Sequence, residues 1–267
     1  MSEGSGFNFD LCKRNAMLSA KGVPPPRAWS TGTTIAGVIF KDGVVLGADT
    51  RSTAGTTVAD KNCEKIHYVA DNIKCCGAGT AADTEAVTNM VAASLQLHRY
   101  ATGRQSRLVT ALTMLKQHLF RYQGYVSAAL VLGGVDLNGP HLFTIFPHGS
   151  TDSLPFATMG SGSLNAMAMF ESNYKDDMTR EEAIDLVTRA IKSGIYNDLG
   201  SGSNVDLCVI TKDGSEYLRN HEYLMDKTYQ RKFPVVYEKG TAPVIKEKMV
   251  SLADVQVLEG AAPMDTS

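Results

Sequence analysis

The chain is poor in the features that would tie it to a charged or lipid partner. Its 26 basic and 28 acidic residues leave a net charge of −2 over 267 residues, too small a field to gather nucleic acid or anionic lipid. No apolar run approaches the roughly 18 residues of a membrane-spanning helix; the longest, at 126–135, stops well short. The first 32 residues have no continuous apolar run after a basic start, carry Glu3 and Asp10, and include Pro24, Pro25 and Pro26. That pattern fits neither a secretory signal nor a transit peptide. These absences predict a soluble protein made and kept in the cytosol, with entry to the nucleus left open.

Metal, disulfide and nucleotide motifs are equally scarce. The five cysteines, Cys12, Cys63, Cys75, Cys76 and Cys208, are odd in number and contain no C-x-x-C pair, which argues for reduced thiols rather than a disulfide framework or zinc site. Cys75 and Cys76 are neighbours on an expected strand, where side chains face opposite ways and a bridge is strained. The six histidines (His67, His98, His118, His141, His148 and His221) form no H-E-x-x-H, and no G-x-S-x-G elbow exists for a serine triad. Gly-rich segments at 77–79 and 160–163 match neither the dinucleotide fingerprint nor the P-loop.

What is present is a core-forming pattern, with 43% apolar residues. Apolar segments at 35–40 and 44–48 flank Asp42-Gly43, and a second pair at 65–69 and 73–78 flanks Asp71-Asn72, each a hairpin signature. Helical spacing follows at 83–100 and 107–123, separated by Gly103. Strands resume at 126–135, 142–146 and near Phe156. A helix is expected after Gly162, and a second opens on the capping-box pair Thr179 and Glu182. A last hairpin, 205–211 and 216–218, turns at Asp213-Gly214. Hairpins grouped apart from helix pairs predict an α+β fold, an α-β-β-α sandwich of two antiparallel sheets with helices outside. Beyond about residue 220 the composition turns charged and extended, and a self-contained core does not need it.

The chemistry centres on Thr31-Gly32-Thr33-Thr34, where a polar, proline-interrupted leader meets the first strand. A cut between Gly32 and Thr33 would give Thr33 a free α-amine beside its own hydroxyl. With a reference pKa of about 7.7–8.0, that amine can take the hydroxyl proton without any histidine. Such a site needs a nearby cation, and Lys65 at a strand start, with Asp49 to orient it, supplies one. Taken alone, each is bland: Lys65 reads as a solvated charge, and 49–51 as a turn.

The segments DGVVLGADTR (42–51), KIHYV (65–69), CCGAGTAAD (75–83), MGSGS (159–163) and NDLGSGSNVD (197–206) together resemble the proteasome beta subunits, a family of N-terminal-nucleophile hydrolases. The resemblance covers 33 to about 220 and is strongest to subunits of the trypsin-like kind, in constitutive or inducible form. It implies the four-layer Ntn-hydrolase fold, with 1–32 a propeptide, 33–220 the catalytic core and 221–267 an extended arm that embraces a ring neighbour, adding strand pairing at 235–237 and 244–246.

The same resemblance makes Thr33 the nucleophile, Lys65 its activator and Asp49 the orienter of Lys65. Ser161, Asp198 and Ser201 support the amine, and the backbone amide of Gly79 serves as oxyanion donor. Self-cleavage at Gly32 and Thr33 releases the leader. Its pocket positions fall on Ser52, Cys63, His67, Gly77, Ala81 and Glu85, with Glu85 receiving Arg or Lys; Glu85 also sits where a helix's first turns favour an acid. Implied partners are the alpha and beta subunits of stacked seven-membered rings, unfolded polypeptides and, indirectly, regulatory particles of ATP- and ubiquitin-dependent degradation, in cytoplasm and nucleus. No metal, other cofactor, nucleic acid or membrane is implied. The rivals are a catalytically silent ring subunit on the same fold and, more distantly, a small-molecule amidase. A merely disordered leader or tail stays open.

Overall fold

The two strands β1 (Ile35–Phe40) and β2 (Gly43–Asp49) form the expected hairpin, with Val38 opposite Val45 and Phe40 opposite Gly43. In the computed structural model, which describes residues 10–23, 31–225, 232–233, 240 and 246–248, this hairpin is the centre of the first sheet. After it come the short strands β3 (Ser52–Ala54) and β4 (Thr57–Asp60), which pair with each other, and then β5 (Ile66–Ala70) and β6 (Ile73–Gly79). Strands β7 (Ala128–Asp136), β8 (Gly139–Ile145), β9 (Thr151–Ser153), β10 (Phe156–Met159), β11 (Asn204–Thr211) and β12 (Gly214–Tyr223) complete the set. One five-stranded sheet runs β10-β1-β2-β11-β12, the other β5-β6-β7-β8-β9, and every pairing is antiparallel.

The helices are α1 (Asp10–Ala20), α2 (Ala81–Thr102), α3 (Leu108–Arg121), α4 (Ser163–Asn173) and α5 (Arg180–Asn197). Gly103 ends α2 in the left-handed conformation, φ 68°, and its N–H donates to the Arg99 carbonyl, as a glycine C-cap should. At α5 both arms of the capping box form: the Glu182 amide donates to Thr179 Oγ1 at 3.3 Å and the Thr179 amide to Glu182 Oε2 at 3.0 Å.

Alternation along the strands divides the interior into three apolar layers. Val45 packs outward with Phe170 and Ile191 under α4 and α5. Val44 and Leu46 turn inward to meet Val131 and Leu142 between the sheets. Leu130 and Leu132 face the opposite way, against Val91 and Leu115 of α2 and α3. That is the expected α-β-β-α sandwich. Three strands have no sequence signal: β3 and β4 are short, polar and largely exposed, and β9 has three residues. The leader carries α1, also unforeseen, whose described side chains are nearly all exposed.

Residues 1–226 and 227–267 form two separate units. The strand-pairing segments expected in the arm lie outside the described residues, apart from Lys246, as do 1–9 and 24–30 of the leader. The last described strand, β12, continues to Tyr223, three residues past the core limit read from composition.

Candidate functional site

Thr33 sits at the mouth of β1, two residues before its first ladder pair, and is 1% exposed. Its Oγ1 donates to the Gly32 carbonyl at 2.7 Å and accepts from Lys65 Nζ at 3.1 Å. Lys65 Nζ also donates to the Gly32 carbonyl at 3.2 Å and pairs with Asp49 Oδ1 at 2.8 Å. Lys65 and Asp49 are 6% and 0% exposed. Removing one member of so buried a pair leaves the other uncompensated, at a cost of about 3–5 kcal/mol.

The fold brings these groups together because each ends or begins a strand at the same edge. Asp49 closes β2, and Lys65 immediately precedes β5. Asp49 is fully engaged: Oδ1 also accepts from the Thr34 amide at 2.9 Å, and Oδ2 from the amides of Arg51 and Gly202 at 3.2 and 3.1 Å. A carboxylate held by backbone N–H groups from three segments is fixed in place.

Ser161, Asp198 and Ser201 meet on the other side of Thr33. The Thr33 amide donates to Ser161 Oγ at 3.0 Å, and the hydroxyls of Ser161 and Ser201 donate to Asp198 Oδ2 at 2.6 and 2.7 Å. Burial pushes the Asp198 carboxyl up, but the bonds from Ser161, Ser201 and the Gly200 amide outweigh it and hold the group below the usual carboxylate value. With its proton committed to Asp198, Ser201 Oγ accepts from Thr34 Oγ1 at 2.6 Å. Gly32 lies against Gly200 so closely that a Cβ on Gly32 would meet Gly200 Cα at 2.2 Å. No larger residue fits at the junction without moving backbone.

Gly79, φ 116°, presents its carbonyl to Thr31, accepting from the amide at 3.2 Å and the hydroxyl at 3.3 Å in an isolated antiparallel bridge. Thr31 thus meets the end of β6 as a residue of an added strand would.

Beside Thr33 opens a cavity of about 510 Å³ lined by Ser52, Cys63, His67, Gly77, Ala81 and Glu85, the six residues expected there. A Cβ on Gly77 would meet Thr84 Cβ at 2.7 Å, so glycine is what lets α2 close over this wall. Glu64, Thr84 and Tyr217 also line the cavity; no period or motif singles them out, and only the fold brings Tyr217 of β12 to the rim. Burial holds the His67 imidazole below its ordinary value against the opposing pull of Glu85 and Glu64. Burial likewise pushes the Cys63 thiol up. Cys75, Cys76 and Cys208 are buried free thiols, raised by desolvation, Cys208 to about 11.

A two-sheet sandwich with a threonine at the head of its central hairpin, its hydroxyl on a buried lysine, is the architecture of one hydrolase class. The chain matches the proteasome subunit family over residues 29–210 and belongs to it. Within it the chain is a beta subunit of the 20S core. It is 65% identical over 256 residues to proteasome subunit beta type-7-B of Arabidopsis thaliana, covering 96% of this chain and 93% of that one. It is 60% identical to proteasome subunit beta type-7 of Dictyostelium discoideum, covering 95% of each. Against proteasome subunit beta type-10 of Bos taurus identity is 49%, with 97% of this chain and 96% of the other covered. The family assembles with other proteasome subunits.

Proposed function

We propose that the chain is a catalytic threonine endopeptidase subunit, which releases residues 1–32 by its own chemistry and then cleaves polypeptides after basic residues, in cytoplasm and nucleus. The observation that carries this reading is the placement of Thr33 Oγ1 between Lys65 Nζ and the Gly32 carbonyl, with Lys65 anchored on Asp49.

In the first step Thr33 Oγ1 attacks the Gly32 carbonyl carbon, and Lys65 stabilises the negative charge that develops on oxygen. The hydroxyl proton passes through water to the Thr33 nitrogen as the C–N bond breaks. The product is a Gly32 ester on Thr33 Oγ1 and a free α-amine. Water then hydrolyses the ester, and the leader departs with a Gly32 carboxylate. The nitrogen that becomes the amine is already bonded to Ser161, so the support for the mature base exists before the cut.

In turnover the amine accepts the Thr33 hydroxyl proton, directly or through water, as Oγ1 attacks the substrate carbonyl. The Gly79 amide donates to the resulting oxyanion. The amine returns the proton to the leaving nitrogen, leaving an acyl ester that water cleaves. A substrate arginine or lysine enters the cavity, where Glu85 and Glu64 offer carboxylates and His67, held neutral, adds no opposing charge.

Peptides ending in arginine, glutamate or phenylalanine before a fluorogenic group, given to assembled particles, test this. Thr33→Ala is expected to lower cleavage after arginine by about a thousandfold or more. Unchanged cleavage after arginine would overturn the reading and favour a silent ring subunit.

A further inference from the structure

Strand β12 does not pair evenly with β11. Val205 lies opposite Glu222 and Leu207 opposite Leu218, so three residues of β12, 219–221, face the single residue Asp206. Asn220 takes the left-handed conformation at φ 52°. Bulges of this kind bend a strand and re-aim a side chain. Here the re-aimed side chain is Arg219.

Asp206 is fully buried. Its Oδ1 accepts from the Asn220 amide at 2.8 Å, and its Oδ2 from the Tyr217 hydroxyl at 3.2 Å and from Arg219 Nη1. The same guanidinium reaches across to the segment that leads into β5. Nη2 donates to the Asn62 carbonyl, Nη1 to the Cys63 carbonyl at 3.4 Å, and Nε lies 3.5 Å from Glu64 Oε1. Cys63 and Glu64 line the cavity, and Tyr217 stands at its rim. Two consecutive carbonyls and a carboxylate held by one planar fork are a geometric constraint that a lysine's point charge does not reproduce.

We propose that Arg219 is a positioning residue for substrate recognition: aimed by the β12 bulge and anchored on Asp206, it holds the 62–64 wall of the cavity in the shape that accepts a basic side chain. This rests on the reading of the cavity as the substrate pocket. Lys65, next in sequence, has its own anchors on Asp49 and Thr33, so the wall can shift while the reacting groups stay in place. Arg219 therefore acts on binding rather than on the chemical step.

The experiment compares wild type, Arg219→Ala and Arg219→Lys in assembled particles with peptides ending in arginine. Both variants are expected to release the leader normally and keep kcat within about threefold of wild type, while KM rises by about tenfold, the lysine failing to rescue it. Alkylation of Cys63 by a maleimide is expected to quicken in both. An unchanged KM in both variants overturns the proposal, as does a fall in kcat and leader release with KM constant. If Arg219→Ala does not assemble, Arg219→Lys with the Cys63 labelling rate decides on the same criteria. Absence of cleavage after arginine in wild type itself would instead sink the functional reading beneath it.

Discussion

Two buried regions of this molecule, a few residues apart on the same strands, are built on opposite terms. Between the sheets, Ile35, Val44, Leu46, Val131, Leu142 and Ile210 fill space with apolar bulk, and no one of them has a unique partner. At the edge of that layer, Thr33, Asp49 and Lys65 are as deeply buried, yet their polar atoms are spoken for by particular donors and acceptors. β2 shows both in one strand: Leu46 belongs to the first region and Asp49 to the second. Shape and volume suffice in the apolar layer, whereas the polar nest depends on each group's charge and position, because an unmatched buried charge has no solvent to turn to.

Asp49→Asn, which changes almost no volume, separates the two regions most strongly. It removes the charge facing Lys65 and confronts with an amide the N–H groups of Thr34, Arg51 and Gly202, all of which need an acceptor. Cleavage after arginine is expected to fall by about a hundredfold or more, as does the rate of leader release. Retained activity would show that the nest tolerates substitution as the apolar layer does.

The counterpart is Leu46→Ala. Denaturant or thermal unfolding is expected to show a loss of about 2–5 kcal/mol from the cavity left between the sheets, with kcat per folded particle unchanged. A kcat that fell in step with stability would mean the two regions are not independent.

The smallest expected effect is in pH dependence. His67 has its folded pKa below the ordinary 6.5, so the unfolded chain binds the proton more readily. Its contribution to stability is therefore complete above about 6.5 and declines as pH falls from there toward the folded value. Between pH 8 and 6.5 the imidazole remains neutral, so the KM for arginine-ending peptides should follow the same pH curve, up to a constant factor, in wild type and His67→Gln. Curves that diverged in this range would show a cation forming on His67.

The apolar region was legible in the sequence, because period-two alternation and turn pairs such as Asp42-Gly43 carry its information locally. The capping box at Thr179 and the left-handed Gly103 were legible for the same reason. The polar nest has no period: Thr33, Asp49, Lys65, Ser161 and Asp198 are spread over 166 positions of sequence, counting from 33 to 198 inclusive; the chemistry of a threonine amine suggested Thr33, Lys65 and Asp49 beside blander readings, and only the family resemblance added Ser161 and Asp198. Neither route reached the β12 bulge or Arg219 or gave Asp206, the last residue of a quoted segment, a role, since a left-handed Asn220 leaves no mark in composition and the side chain it aims meets Asn62 and Cys63 more than 150 residues away. The strands β3 and β4 escaped because an exposed, polar hairpin has no apolar face to alternate.

In the proposed mechanism Thr33 Oγ1, on Lys65, opens the bond to Gly32 and so frees its own amine. Intact mass and N-terminal sequencing of this subunit from assembled particles test it most directly. A chain beginning at Thr33 is expected in wild type and a retained Gly32–Thr33 bond in Lys65→Ala; a wild-type subunit that kept the bond, or a Lys65→Ala subunit that lost it at the normal rate, would contradict this mechanism.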